Sequence, residues 1–219
     1  TSDTVRLAQS VNQFLFDTLQ VNDAFITSSS CSNTISLAKY NSFGANALFI
    51  KATGIVQVDN AILKDIHASG GATFIANNST DLGNNTGWTI NTSPSRDLYW
   101  VGGSGTWNDN AHWSLSSGGA GGECQPMKQD NVIFDSNSFA QSGDTVYVHP
   151  TLGVYCNNIS FSAIPNATVL YSSSSNYGLN VNGSVTFPQE LNPYSVRINL
   201  TSSNAGNTTS TGGNQLTGL

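Results

Sequence analysis

The chain has 219 residues, of which only 9% are charged, with 7 Lys and Arg against 13 Asp and Glu. Soluble domains ordinarily carry roughly 25% charged residues; here Asn, Ser, Thr and Gly fill that space. A net charge of -6 with a few scattered cations excludes a nucleic-acid binder, because phosphate neutralisation needs clustered Lys and Arg. No run approaches the ~20 apolar residues of a membrane helix, so direct membrane insertion is not expected.

No apolar i, i+3, i+4 face runs over a helix length with caps at both ends. Short β-rich runs recur instead, at 5–7, 14–16, 19–21, 24–26, 34–37, 47–51, 55–58, 61–66 and 72–75. They resume at 131–134, 145–148, 158–161, 168–171, 179–181, 184–187 and 196–200. Gly, Asn, Ser and Asp bound each run, and these residues tolerate turn dihedrals. A sandwich would need longer strands joined by hairpin turns such as Asn-Gly. Asn182-Gly183 is the only such pair. Tight polar corners between very short strands suit a stack in which Asn side chains ladder and apolar residues pile up inside.

The expected fold is therefore all-β: a parallel β-helix (β-solenoid), right-handed, with little or no helix. At about 20–25 residues per rung it would have about nine or ten rungs. At ~4.8 Å per rung that gives a rod of roughly 45 Å.

Asp17-Thr18-Leu19-Gln20-Val21 precedes Cys31-Ser32-Asn33-Thr34-Ile35-Ser36-Leu37, and Asp144-Thr145-Val146-Tyr147-Val148 precedes Cys156-Asn157-Asn158-Ile159-Ser160-Phe161. The second half thus restarts a pattern of the first. Thr92-Ser93-Pro94-Ser95-Arg96 reads as linker. The expected organisation is the end of one solenoid unit over 1–91, a junction over 92–98, and the start of the next unit over 99–219. Thr1-Ser2-Asp3 carries neither Met nor signal peptide, and 201–219 is rich in Ser, Thr, Gly and Asn. The chain is expected to be a piece of a longer protein.

Catalytic chemistry has few footholds. Breaking a uronate polymer needs a base and cations that neutralise the carboxylate. Lys64-Asp65-Ile66-His67 is the only local cluster of that kind. Strand alternation would place Asp65 and His67 on one face, about 7 Å apart; a solvated strand face explains the same residues. No G-x-S-x-G elbow occurs, and the three His and three Cys miss zinc spacings. Calcium is the one metal left open, through turn oxygens of Asp109, Asp130 and Asp135, although Asn/Asp turns need no metal. No cofactor is required.

Two segments go beyond generic stacking. Ile66-His67-Ala68-Ser69-Gly70-Gly71-Ala72-Thr73-Phe74 leads to Gly83-Asn84-Asn85-Thr86-Gly87-Trp88. Tyr99-Trp100-Val101-Gly102-Gly103-Ser104-Gly105-Thr106-Trp107 then continues through His112-Trp113-Ser114 to Asp130-Asn131-Val132-Ile133-Phe134-Asp135. Over about residues 60–160 the chain resembles repeats of giant Bacteroidetes surface proteins exported by the type IX system, the gliding-motility adhesins among them. The resemblance implies that the GNNTGW-like stretch closes one unit and the YWVGGSGxW-like stretch opens the next. It implies no active site. It further implies an extracellular location on the bacterial surface, held at the outer membrane through other parts of the parent.

Asp3-Thr4-Val5, Asp17-Thr18-Leu19 and Asp144-Thr145-Val146 fit the D-(S/T)-aliphatic O-glycosylation pattern of that phylum, so Thr4, Thr18 and Thr145 are candidate attachment sites. Without the resemblance, Asp-Thr before an aliphatic is simply a strand entry. In an exported protein three cysteines leave one unpaired within the chain. Cys124 and Cys156 share a unit, and a bond between them would stabilise it by ~3–4 kcal/mol. Trp100, Trp107 and Trp113, with glycines beside them, are expected to fold over an exposed rung end; the alternative is an aromatic platform for sugar rings.

The expected function is thus a non-catalytic structural repeat of an adhesin, forming a fibre or stalk. Its partners would be neighbouring units of the parent chain, with surface polysaccharides and host or substratum glycans as further partners. The alternative is a carbohydrate-binding module or a β-helix polysaccharide-degrading enzyme.

Overall fold

The computed structural model describes residues 5–7, 12–15, 18–27, 29–31, 34–39, 46–148, 154–164, 169–171, 178–187, 197–202, 204–210 and 212. Among these residues there are 24 short strands and one 3-10 turn, Asn110–His112. No helix among them is long and apolar enough to cross a membrane. The chain is all-β, and it divides into two compact units, Thr1–Ser93 and Pro94–Leu219.

In the first unit every ladder is parallel, and successive strands go to successive ladders. One two-stranded ladder pairs β1 (Val5–Leu7) with β4 (Phe25–Thr27), and a separate one stacks β7 (Ile55–Asp59), β10 (Thr73–Asn77) and β12 (Trp88–Asn91). A third stacks β2 (Asn12–Leu15), β5 (Ile35–Lys39), β8 (Ala61–Lys64) and β11 (Thr80–Asp81). Another stacks β3 (Thr18–Gln20), β6 (Ala47–Ile50) and β9 (Ile66–Ser69), and a bridge from His67 to Thr86 extends it. From β7 onward, β7, β8 and β9 each enter a different ladder, and β10 then returns to that of β7.

The corners make this possible. Asn60 (φ 50°) alone separates β7 from β8, and Asp65 (φ 57°) alone separates β8 from β9. Asn78 (φ 47°) and Asn84 (φ 57°) serve the next turn. Asn and Asp enter the left-handed region more readily than other residues with a Cβ, so a corner can be made in one residue. The run read as one strand over 61–66 is therefore two strands meeting at Asp65. Inward positions alternate along each strand: Val56, Val58, Ala61, Leu63, Ile66, Ala68, Phe74 and Ala76 are all buried. Phe25, Phe49, Phe74 and Trp88 form an edge-to-face column with centroids 4.9, 5.6 and 5.2 Å apart.

The second unit repeats the scheme. β13 (Asp97–Trp100) lies over β16 (Asn131–Phe134), β19 (Ile159–Phe161), β22 (Val185–Thr186) and β24 (Thr209–Ser210), all parallel. β14 (Gly105–Thr106), β17 (Thr145–Tyr147) and β20 (Val169–Tyr171) form another ladder. β18 (Val154–Cys156), β21 (Gly178–Val181) and β23 (Arg197–Leu200) form the last. Leu98, Val132, Ile159 and Val185 stand in register as one buried aliphatic column. Each such side chain contributes ~1.5–3 kcal/mol. One exception to the parallel rule is β15 (Trp113–Ser114), which pairs antiparallel with β13 at the outer end of that sheet.

Residues 97 and 98, assigned to the junction from sequence, are the start of β13, and the compact units part between Ser93 and Pro94. Arg96, read as linker, is anchored. Its Nη2 donates to Asp130 Oδ2 at 2.6 Å, and its backbone N–H donates to Oδ1 at 2.9 Å.

Glycine is needed where one turn rests on the turn before. A Cβ at Gly70 (φ +106°) would lie 2.1 Å from the Lys51 carbonyl oxygen, whereas at Gly83 (φ +101°) it would meet nothing within 4 Å. Gly70→Ala is expected to lower stability by roughly 2 kcal/mol or more, and Gly83→Ala by clearly less. Urea unfolding of the two variants measures the difference.

Candidate functional site

The first turn of the second unit carries Trp100, Trp107, Asp109, Trp113, Cys124 and Asp130 of the residues singled out for chemistry. Trp100 ends β13, Trp107 follows β14 and Trp113 opens β15. All three are fully buried, at 0% exposure. Their rings meet edge to face: Trp100 on Trp113 at 5.1 Å, and Trp107 on Trp113 at 5.0 Å. The Trp113 indole N–H donates to the Trp107 carbonyl at 2.8 Å, and the Trp100 indole to the Gly103 carbonyl at 2.7 Å. Contrary to the sugar-platform reading, rings packed on all sides by protein offer no face to a pyranose. They pack the end of the stack instead.

His112 has a specific place beside these rings. Its imidazole lies parallel to Trp100, with centroids 4.6 Å apart and planes 5° apart. Nδ1 sits 2.7 Å from the Val101 carbonyl oxygen, an acceptor only, so this nitrogen carries the proton. The Val101 N–H returns a bond to the His112 carbonyl at 2.9 Å. A Cβ at Gly105 would lie 2.1 Å from Nε2. The Gly-Gly-Ser-Gly loop is thus wrapped around an imidazole, which explains a glycine at 105.

The other flank of that loop is held by Asp144. Its carboxylate accepts from Ser104 Oγ at 2.9 Å and from the Ala140 and Gln141 amides at 3.0 and 3.1 Å. Ser104 Oγ in turn accepts from the Thr145 amide at 3.0 Å. Burial alone would raise the Asp144 carboxyl, but the Ser104 hydroxyl and the Gln141 and Ala140 amides outweigh it and hold the group below the usual carboxylate value.

The three proposed calcium ligands do not converge. Asp109 caps the 3-10 turn by accepting from the Ala111 amide at 2.9 Å. Asp135 accepts from the Asn137 amide at 2.9 Å. Asp130, fully buried, accepts from Arg96 and from the Met127 amide at 2.9 Å. Among the described residues no three His, Cys, Asp or Glu side chains form a group that could hold a metal. Each of these carboxylates instead satisfies backbone donors of its own turn.

The Lys64–His67 cluster is also taken apart. The corner at Asp65 interrupts the alternation that was expected to align Asp65 with His67. Asp65 Oδ1 accepts from Asn84 Nδ2 at 2.9 Å, while His67 Nδ1 is hydrogen-bonded to Thr86 Oγ1. Both side chains tie one turn to the next.

Of the candidate glycan sites, Thr4 lies outside the described residues. Thr18 is exposed on β3. Thr145 is half-buried at the start of β17 and donates to the Gly143 carbonyl at 3.2 Å, beside the buried Asp144 of its motif. The expected Cys124–Cys156 bond is not formed. Cys156 is a free, fully buried thiol because β18 turns it into the core, while Cys124 is disulfide-bonded without it.

Three outcomes follow from this geometry. Trp107 Nε1 is buried and has no acceptor among the described residues, whereas Trp113 Nε1 has one. Both Trp→Phe changes remove the same ring volume, so Trp113→Phe is expected to be the costlier by about 1 kcal/mol in denaturant titration. Burial pushes the Cys156 thiol up, and the charge of Asp130 adds to the shift. A thiol reagent is expected to leave Cys156 unmodified in the folded, unreduced chain and to label it once the chain is unfolded, as peptide mapping reads. The depressed Asp144 carboxyl contributes stability fully above its unfolded pKa of roughly 3.9, and this is lost as pH falls through the lower folded value. The gap in unfolding midpoint between the native chain and Asp144→Asn should therefore be wide at pH 6 and close below about pH 4. Comparison with family models, curated proteins and solved structures finds no match to this chain.

Proposed function

We propose that the chain is a non-catalytic structural repeat of a large secreted surface adhesin, and that its two units are parallel β-helices of right-handed, short-rung type. The observation that carries this reading is the ladder order, in which strands such as β2, β5, β8 and β11 stack in parallel while the chain visits two other ladders in between. Such a stack lengthens by adding turns without changing its cross-section, which suits a fibre or stalk for attachment or gliding. Its hydrogen bonds run from turn to turn, so a pull along the stack is shared among its parallel ladders. The polar side chains that enzyme or metal chemistry would need are engaged in this scaffold: Asp65 with Asn84, His67 with Thr86, Asp130 with Arg96, Asp144 with Ser104. Burial of Trp100, Trp107 and Trp113 favours the structural role over a sugar platform.

Export by a type IX route, O-glycans at Thr4, Thr18 or Thr145, and neighbouring repeats as partners belong to the same proposal, resting on the motif resemblance. The test is made on the native source material. Antibodies against this chain should label intact cells, and the denatured polypeptide they capture should have a mass many times that of 219 residues. An unlabelled cell surface together with a captured chain of only this size would overturn the adhesin reading.

A further inference from the structure

We draw no further inference here: the strongest candidate, the hydrogen-bonding edge that β23 and β24 leave at the end of the second unit's ladders beside the 53% exposed Leu200, carries nothing because nothing among the described residues shows what covers it.

Discussion

Everything in this protein depends on turn-to-turn register. A parallel strand can lie ~4.8 Å over its predecessor only if the chain between them closes a circuit that returns it to the same place. Each corner must therefore be made cheaply and repeatedly. Asn60 and Asp65 do this as single left-handed residues, Asn78 and Asn84 enter the same region in the next turn, and the Asn84 side chain also reaches the neighbouring turn at Asp65. In the second unit one corner becomes a continuous polar column. Asn131 donates to Asp97 at 2.7 Å and accepts from Asn158 at 2.9 Å, and Asn158 accepts from the Ser184 amide at 2.7 Å. The abundance of Asn and Ser is thus a consequence of stacking. So is the scarcity of charge, because like charges repeated every ~4.8 Å would repel along the column.

The same constraint decides which features could be read in advance. Most inward-facing runs of Val, Ile, Leu and Phe were legible as strands, since apolar content and flanking turn residues are local properties. Ala61–Ile66 was misread because nothing local distinguishes a left-handed Asp65 from an outward-facing Asp within one strand. β12 and β13 were missed for a related reason. Thr89 and Asn91, or Asp97 and Tyr99, look like loop residues until the ladder beneath them supplies the partners Ile75, Asn77, Asn131 and Ile133.

At the site the sequence named the right residues for packing and mistook what holds them. His112 stood alone in sequence because its partners, Trp100, Val101 and Gly105, are reached only when β15 folds back on β13. Arg96 and Asp130 are 34 positions apart and meet through the β13–β16 pairing. Asp144 was marked by a glycosylation pattern, whereas its carboxylate closes the loop at Ser104. In each case the partner lies one turn away, or across a strand reversal, where spacing along the chain carries no signal. Cys156 failed for a different reason: pairing was argued from shared membership of a unit, but β18 turns its side chain into the core.

The first turn of the second unit shows why its segment is so aromatic. Inside the stack each turn is covered by the next, and a Phe column suffices: Phe134 on Phe161 at 4.7 Å, Phe161 on Phe187 at 5.7 Å. The first turn has no earlier turn of its own unit to cover it, so the space must be filled from within. Three indoles and an imidazole do so, with Trp100 continuing the column over Phe134 at 6.0 Å. The exposed hydrogen-bonding edge of β13 poses the second problem, since a free parallel edge is a template for pairing with another chain. β15 occupies it in the antiparallel sense, and its own carbonyl at Trp113 accepts from the Glu123 amide at 3.0 Å. β15 thus pairs the edge of β13 from within the same unit and is itself fastened by a returning loop. The Trp- and Gly-rich segment is therefore explained by the need to begin a stack, and sugar recognition is not required to account for it.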